Sequence, residues 1–403
     1  MCLGNDPLPP QINVMTHDTD ILIAGGGIAG MIATLILADA GQRVLCVDPA
    51  KPGSSPDLRS TAFLMPATRV LDKIGLFDQL RDHAAALRIM RIVQARNGTP
   101  TRTVDFDAAE AGEPQFGWNI PNAALRAILP QAIAAHPNAD LHSSVSVCGH
   151  TPRLNETIVR LSDGSHVPAR LLIAADGRDS QLREAAGISA TRLRYGQKAL
   201  VFAVRHDRPH DGISTEVHQS GGPFTLVPLA GPDQNRSAIV WMDLGPNIAT
   251  LQDLDPDAFT AAVNTRSCGV MGPLALDGGV AAWPIIGQYA SHLTGPRLAL
   301  LGEAAHVVPP IGAQGLNMSL ADAATLADLI RANRSDCGAR DLLTRYHRKR
   351  WPDMRLRVHG IDALNKASIA GTPLGHSLRD AGLHALMSIK PLRQAAIRGG
   401  LGR

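Results

Sequence analysis

The chain has 403 residues, 45% of them hydrophobic and 19% charged, with a formal net charge of +3. That length allows two or three domains with an ample core, and the composition is globular rather than disordered. The small net charge and the few aromatic residues (Phe 7, Trp 4, Tyr 3) argue against nucleic acid as the main partner.

Met1 to Asp18 is polar and contains proline, without a basic stretch before an apolar core, so it does not read as a signal peptide. Met15 is a candidate natural start. The uncharged stretch Ile21–Ala38 is long enough to suggest a membrane span. It is broken by Gly25, Gly26, Gly27 and Gly30, and reads better as strand, tight turn and helix. Cys2, Cys46, Cys148, Cys268 and Cys337 are scattered singly. No CxxC pair exists, so neither a disulfide framework nor a metal site is expected, and a cytoplasmic, reducing compartment fits.

Asp20–Ala24 reads as a buried parallel strand, and Gly25-x-Gly27-x-x-Gly30 follows at once. Ile28 to Ala40 has helical character, and Arg43–Val47 is a second apolar strand ending in Asp48. This is the βαβ dinucleotide fingerprint in its required context. Gly25 permits the turn, and Gly30 lets the helix pack on the strand. Gly27 lets the backbone approach a pyrophosphate, which would sit on the free N–H groups of Gly27, Ile28 and Ala29. Asp48 is placed to accept from ribose hydroxyls. The fingerprint alone leaves FAD and NAD(P) open.

Two later segments favour FAD. Arg170–Ala175 is an apolar strand running into Asp176-Gly177-Arg178-Asp179-Ser180, with Arg183 after it. Arg297–Leu301 is another, running into Gly302-Glu303-Ala304-Ala305-His306, then Pro309-Pro310-Ile311-Gly312-Ala313-Gln314-Gly315-Leu316-Asn317. A strand ending in an acid suits a ligand hydroxyl at the carboxyl end of an α/β sheet. Gly315 opens a helix with apolar Leu316, Leu320, Leu326 and Leu329 and polar Asp322 and Asp328. Its first N–H groups favour negative charge on a bound ring.

GxGxxG with a distant acid, ADGxxSxxR and GEAAHxxPPxxxQGxN together resemble the FAD-dependent aromatic-ring monooxygenases. Within that group the chain is most similar to the ubiquinone-biosynthesis hydroxylases of the UbiH type. The likeness spans nearly the whole chain. It includes Ser60–Leu76, Phe116–Leu129, Tyr195-Gly196-Gln197, Trp283-Pro284-Ile285, Arg345-Tyr346, Arg350-Trp351 and the tail from Leu378 to Gly402.

The resemblance implies an α/β fold: a glutathione-reductase-type, Rossmann-like FAD domain with an inserted β-sheet substrate domain and a C-terminal helical segment. Expected boundaries are 17–80, 116–198 and 284–370 for the FAD domain, 81–115 and 199–283 for the substrate domain, and 371–403 for the tail. Val201–Arg205, Phe224–Val227 and Ser237–Trp241 read as strands of the inserted sheet, joined by Leu87–Val93 and Val104–Phe106. The substrate pocket is expected at the domain interface.

By motif position, the resemblance implies FAD contacts from Gly302, Glu303 (ribityl chain), Asp176, Arg59, Asn122 and Arg126. Gly315, Leu316 and Asn317 would bring backbone N–H groups to the pyrimidine edge of the flavin. The family usually has Asp where Glu303 stands, and Glu is commoner where Asp48 stands. Pro309 and Pro310 would wall the ring pocket. His306 and Gln197 are the remaining candidates for chemistry, with structural roles as the alternative.

The implied reaction is monooxygenation. NAD(P)H reduces FAD, O₂ adds at flavin C4a, and the hydroperoxide hydroxylates an electron-rich ring, here a polyprenylated phenol or benzoquinone precursor of ubiquinone. No second GxGxxG exists, so the reductant visits transiently or a partner protein supplies electrons. The basic C-terminal segment, from Arg345 to Arg403 with Leu383, Leu386, Met387 and Ile389 interleaved, is either a solvated helix face or a surface docking on a membrane or a biosynthetic complex.

Alternatives are a hydroxylase of a small soluble aromatic or polyketide, a flavin halogenase, and a non-catalytic FAD-binding subunit. The Phe116-Gly-Trp118-Asn-Ile120-Pro121 element matches the halogenase pattern only in part and lies too early. The intact Pro309–Asn317 element argues against a purely structural role.

Overall fold

Thr19–Ala24 is the strand around which the first domain assembles. Its residues from Ile21 to Ala24 are buried, as a parallel strand covered on both faces requires. It pairs in parallel with Val44–Asp48 on one side and His166–Ala174 on the other. Ala139–Ser143 and Leu298–Leu300 extend this sheet in parallel, and Thr157–Leu161 and Val147–Pro152 add an antiparallel flap to His166–Ala174. Helices Ile28–Asp39, Asn122–Ala135 and Gln314–Ala332 pack with this sheet into the largest apolar cluster. The computed structural model describes residues 19–51, 57–96, 98–219, 221–332 and 336–369. The expected C-terminal tail, 371–403, lies outside the described residues.

The second sheet has nine strands. Its order is His306–Val307, Ala281–Ala290, Ala190–His206, Arg236–Leu244, Pro223–Pro228, Ile213–His218, Ile89–Arg96 and Thr99–Asp107, with Leu274–Leu276 off the path. The expected Val201–Arg205 is the middle of a longer strand, Ala190–His206. That strand bulges at Tyr195-Gly196-Gln197, where the register shifts and Gly196 takes φ +68. A Cβ is disfavoured in this left-handed conformation, which explains a glycine inside a strand.

One face of this sheet carries Val93, Leu200, Phe202, Val217, Phe224, Ile239 and Trp241. It is sealed by Ile248, Phe259 and Val263 of helices Gly245–Gln252 and Pro256–Ser267. The other face turns toward the first domain. A third sheet bridges the two: Gly117–Pro121 pairs with Ser60–Leu64 and Ala85–Leu87. The stretch expected as Leu87–Val93 is therefore divided. Ala85–Leu87 joins the bridging sheet and Ile89–Arg96 the large one, because Arg88 and Ile89 both donate to the Gly212 carbonyl. The 30-residue helix Arg340–Ile369 crosses both domains. No helix among the described residues is long and apolar enough to cross a membrane.

Candidate flavin and substrate site

Gly25 has φ +109, and a Cβ there would stand 2.3 Å from the Ala175 carbonyl oxygen. A Cβ on Gly30 would stand 1.9 Å from the Gly25 oxygen. Both glycines are required by close packing of the turn, as expected. Gly27 meets nothing within 4 Å, and the helix that follows has no side-chain cap. Its first N–H groups therefore stand free at an open surface, the arrangement that receives a phosphate. The Gly26 N–H donates to Asp48 Oδ2 at 2.6 Å, and the Ala50 N–H to Oδ1 at 2.7 Å. Asp48 thus shapes the loop with one lone pair on each oxygen and keeps the others for a ribose.

Asp176 Oδ2 accepts weakly from the Leu182 N–H, while Oδ1 is buried with no partner. An orphaned carboxylate oxygen beside the glycine turn fits a polar ligand that satisfies it. Glu303 is exposed and ion-paired with Arg178 at 3.1 Å. Gly302, at φ +63, packs against Ala29 and Ser319, joining the Glu303 turn to both helix N-termini.

Arg59, Asn122 and Arg126 do converge, but on a residue that the motifs did not single out. Asp57 accepts from Arg59 at 2.8 Å through both oxygens, and from Asn122 and Arg126 at 3.2 and 3.3 Å. Burial alone would raise this carboxyl; Arg59 and Asn122 outweigh it and hold it at about 2. The only sequence signal was the Asp57-x-Arg59 spacing. The Arg59 guanidinium also lies 4.5 Å over the Trp283 ring, joining the first domain to the inner face of the large sheet.

At the turn expected to edge the flavin, Pro309 is buried and Pro310 exposed, and Gly315 is exposed at the start of its helix. Gly312 and Ala313 both take positive φ, which costs Ala313 about 1 kcal/mol. Asn317 holds the turn through its side chain. Nδ2 donates to the Ala313 and Ala62 carbonyls, and Oδ1 accepts from the Leu64 N–H at 2.9 Å. Ile311 packs onto Ala199, Met242 and Ile285 of the large sheet. The turn therefore rests against the inner face of the large sheet through Ile311.

Cross-strand register defines that face. Ile92, Glu216, Thr225, Val240 and Val201 form one row across five strands. Gln94, His218 and Pro223 start the next row, in which Ala199 joins Met242 to Trp283. The bed is small and apolar apart from Gln94, Thr225 and a close pair, Glu216 Oε1 to His218 Nε2 at 2.6 Å. Sequence reasoning missed this pair, since two polar residues at alternate strand positions look like a solvated face.

Gln197 and His306 are not free for chemistry. The Gln197 amide is buried between the Gly221 carbonyl and Asn365, each at 2.8 Å. His306 Nε2 lies 2.6 Å from Asp322 Oδ2, both side chains almost fully buried. Arg350 donates to the other Asp322 oxygen at 2.7 Å. Burial would raise Asp322; His306 and Arg350 outweigh it and keep the carboxyl below its ordinary range. Asp322 therefore lies on the buried side of its helix, whereas Asp328 is exposed beside Arg331. No metal-ligand cluster exists among the described residues.

A glycine turn feeding a free helix N-terminus, acids at strand ends and a second exposed N-terminus on the helix packed beside the first define an FAD-binding Rossmann-like fold. The model of the FAD binding domain family matches residues 18–358. The ubiquinone hydroxylase UbiL of Rhodospirillum rubrum is 34% identical over 393 residues, covering 95% of this chain and 89% of the relative. The 3-demethoxyubiquinol 3-hydroxylase of Escherichia coli is 29% identical, covering 95% and 98%. The structure of p-nitrophenol 4-monooxygenase PnpA from Pseudomonas putida superposes with a TM-score of 0.78 at 18% identity, covering 97% and 98%. The chain belongs to this FAD-binding family, in the branch that holds the ubiquinone hydroxylases. It is an FAD-dependent monooxygenase.

Proposed function

We propose that the chain hydroxylates the aromatic ring of a polyprenylated phenol or benzoquinone precursor in ubiquinone biosynthesis, using O₂ and either NAD(P)H or a protein electron donor. The relatives' activities support this reading. The observation that carries it is the placement of the turn: Ile311, four residues before the exposed Gly315, packs on the apolar bed around Ala199 and Met242. Bound FAD supplies electron transfer and oxygen activation.

The chain's own residues supply position and environment. Gly27, Ile28 and Ala29 hold the pyrophosphate, Asp48 the ribose, and Asp176 and Glu303 the polar linker. Gly315, Leu316 and Asn317 offer backbone N–H groups to negative charge at the pyrimidine edge. Val201, Val240 and Ala199 hold the ring and exclude water. Glu216, steadied by His218, accepts the phenol O–H hydrogen bond and so favours the electron-rich form of the ring. A polyprenyl chain is insoluble, which places the substrate at a membrane surface or in a lipid-carrying complex. The basic helix Arg340–Ile369 and the basic tail are the surfaces for such a contact.

The test is the visible spectrum of the FAD-reconstituted protein, followed by NADH and NADPH oxidation with and without a short-prenyl phenol. Phenol-dependent oxidation with a hydroxylated product is expected. Failure to bind flavin overturns the reading. Turnover of soluble phenols in preference to prenylated ones overturns the substrate class.

A further inference from the structure

A continuous polar chain leaves one end of the flavin-edge turn and returns to the other. It starts at His306, where the turn begins. Asp322 accepts from Arg350, and Arg350 Nη1 donates to Asp353 Oδ2 at 2.8 Å. Asp353 Oδ1 accepts from Arg357 Nε at 2.9 Å, and Arg357 Nη1 donates to Gln314 Oε1 at 2.7 Å. Gln314 Nε2 closes the circuit on the Gly312 carbonyl at 2.9 Å. Residues 307–313 are therefore spanned by a strap routed through the long helix Arg340–Ile369.

The strap is graded. His306 and Asp322 are 1% exposed, Arg350 9%, and Asp353 and Arg357 about 30%. Its inner half is a buried ion pair whose loss would threaten the fold. Its outer half is solvent-screened and cannot hold the fold together. Yet that half grips the strained end, where Gly312 and Ala313 both take positive φ. Arg357 and Gln314 also line a cavity of about 270 Å³ between helices Met65–Lys73, Gln314–Ala332 and Arg340–Ile369, so the outer links are reachable from the surface.

We infer that Arg357 is a positioning residue for the flavin-edge turn, acting through Gln314 on a loop that lies far from it in sequence. This rests on the reading that the turn faces the flavin ring. It makes the long helix a sensor: whatever moves Arg357 loosens the turn without touching substrate or cofactor.

The test is amide hydrogen exchange on the full chain, with and without FAD, comparing wild type with Arg357→Ala, Arg357→Lys and Gln314→Ala. Arg357→Ala and Gln314→Ala should each speed exchange over 307–317 by about three- to fivefold, the size of one exposed charged link. Exchange over 20–36 should stay unchanged, and Arg357→Lys should restore part of the protection. With FAD bound, Arg357→Ala should also shift the flavin's visible band and reduction potential. Unchanged exchange over 307–317 overturns the inference, as does a rise spread over both segments. Loss of FAD uptake by wild type would overturn the flavin reading alone, since the exchange comparison stands without FAD.

Discussion

The dinucleotide turn and the inner face of the large sheet are built in opposite ways. The turn presents uncapped backbone N–H groups, which suit a generic group such as phosphate. It needs glycines at Gly25 and Gly30 and one acid at Asp48, all within a single βαβ unit. The sheet face presents side chains. It takes alternate residues from five or more strands, and neighbours such as Ile92 and Val201 are joined only by register. Backbone recognition leaves a compact motif; side-chain recognition across a sheet leaves none.

The largest expected effect is on the backbone side. Gly25→Ala places a Cβ 2.3 Å from the Ala175 oxygen at φ +109. Strain and overlap together should cost roughly 3 kcal/mol or more and abolish FAD retention. Equilibrium unfolding and flavin content read this, and a variant that retains FAD with native stability would break the comparison.

On the side-chain side the effect is smaller and of another kind. Glu216→Gln should leave FAD affinity unchanged while lowering kcat/KM for the phenol by about tenfold, the worth of one hydrogen bond to a charged group. Flavin binding and steady-state kinetics measured together sharpen the contrast. An equal loss of both would merge the two regions into one.

The smallest effect belongs to neither region. Burial and the stacked His292 ring hold His347 down at about 4, against 6.5 for a free imidazole. Between those values the unfolded chain binds a proton that the folded chain does not, so stability falls as pH drops through that window. His150, His206 and His210 are also held down by burial, so the loss is shared. The melting temperature should fall by a few degrees from pH 7 to pH 5, and His347→Asn should flatten part of that slope.

The three FAD motifs were legible because each keeps its strand, its turn and its acid within about 20 residues. The glycine roles at Gly25 and Gly30 could be read from those segments, whereas Arg59, Asn122 and Arg126 were reached only as separate polar contacts through the family resemblance. What joins those three could not be read. Asp57 became their hub only when strand Ser60–Leu64 and helix Asn122–Ala135 were brought side by side. His306 and Gln197 stood in motifs and invited chemical roles, but packing committed them to Asp322 and Asn365.

By itself, the sequence determined the cofactor class and the α/β architecture. Hydrophobic periodicity and glycine positions act locally, and backbone geometry follows from them directly. Only the tertiary structure decided which side chains share the inner face of the large sheet. It also decided that Glu216 pairs with His218 on the inner face of the large sheet, and that Arg357 bonds Gln314, 43 residues before it. Those assignments depend on strand register and on charges meeting in a low-dielectric interior, and both exist only once distant segments have packed.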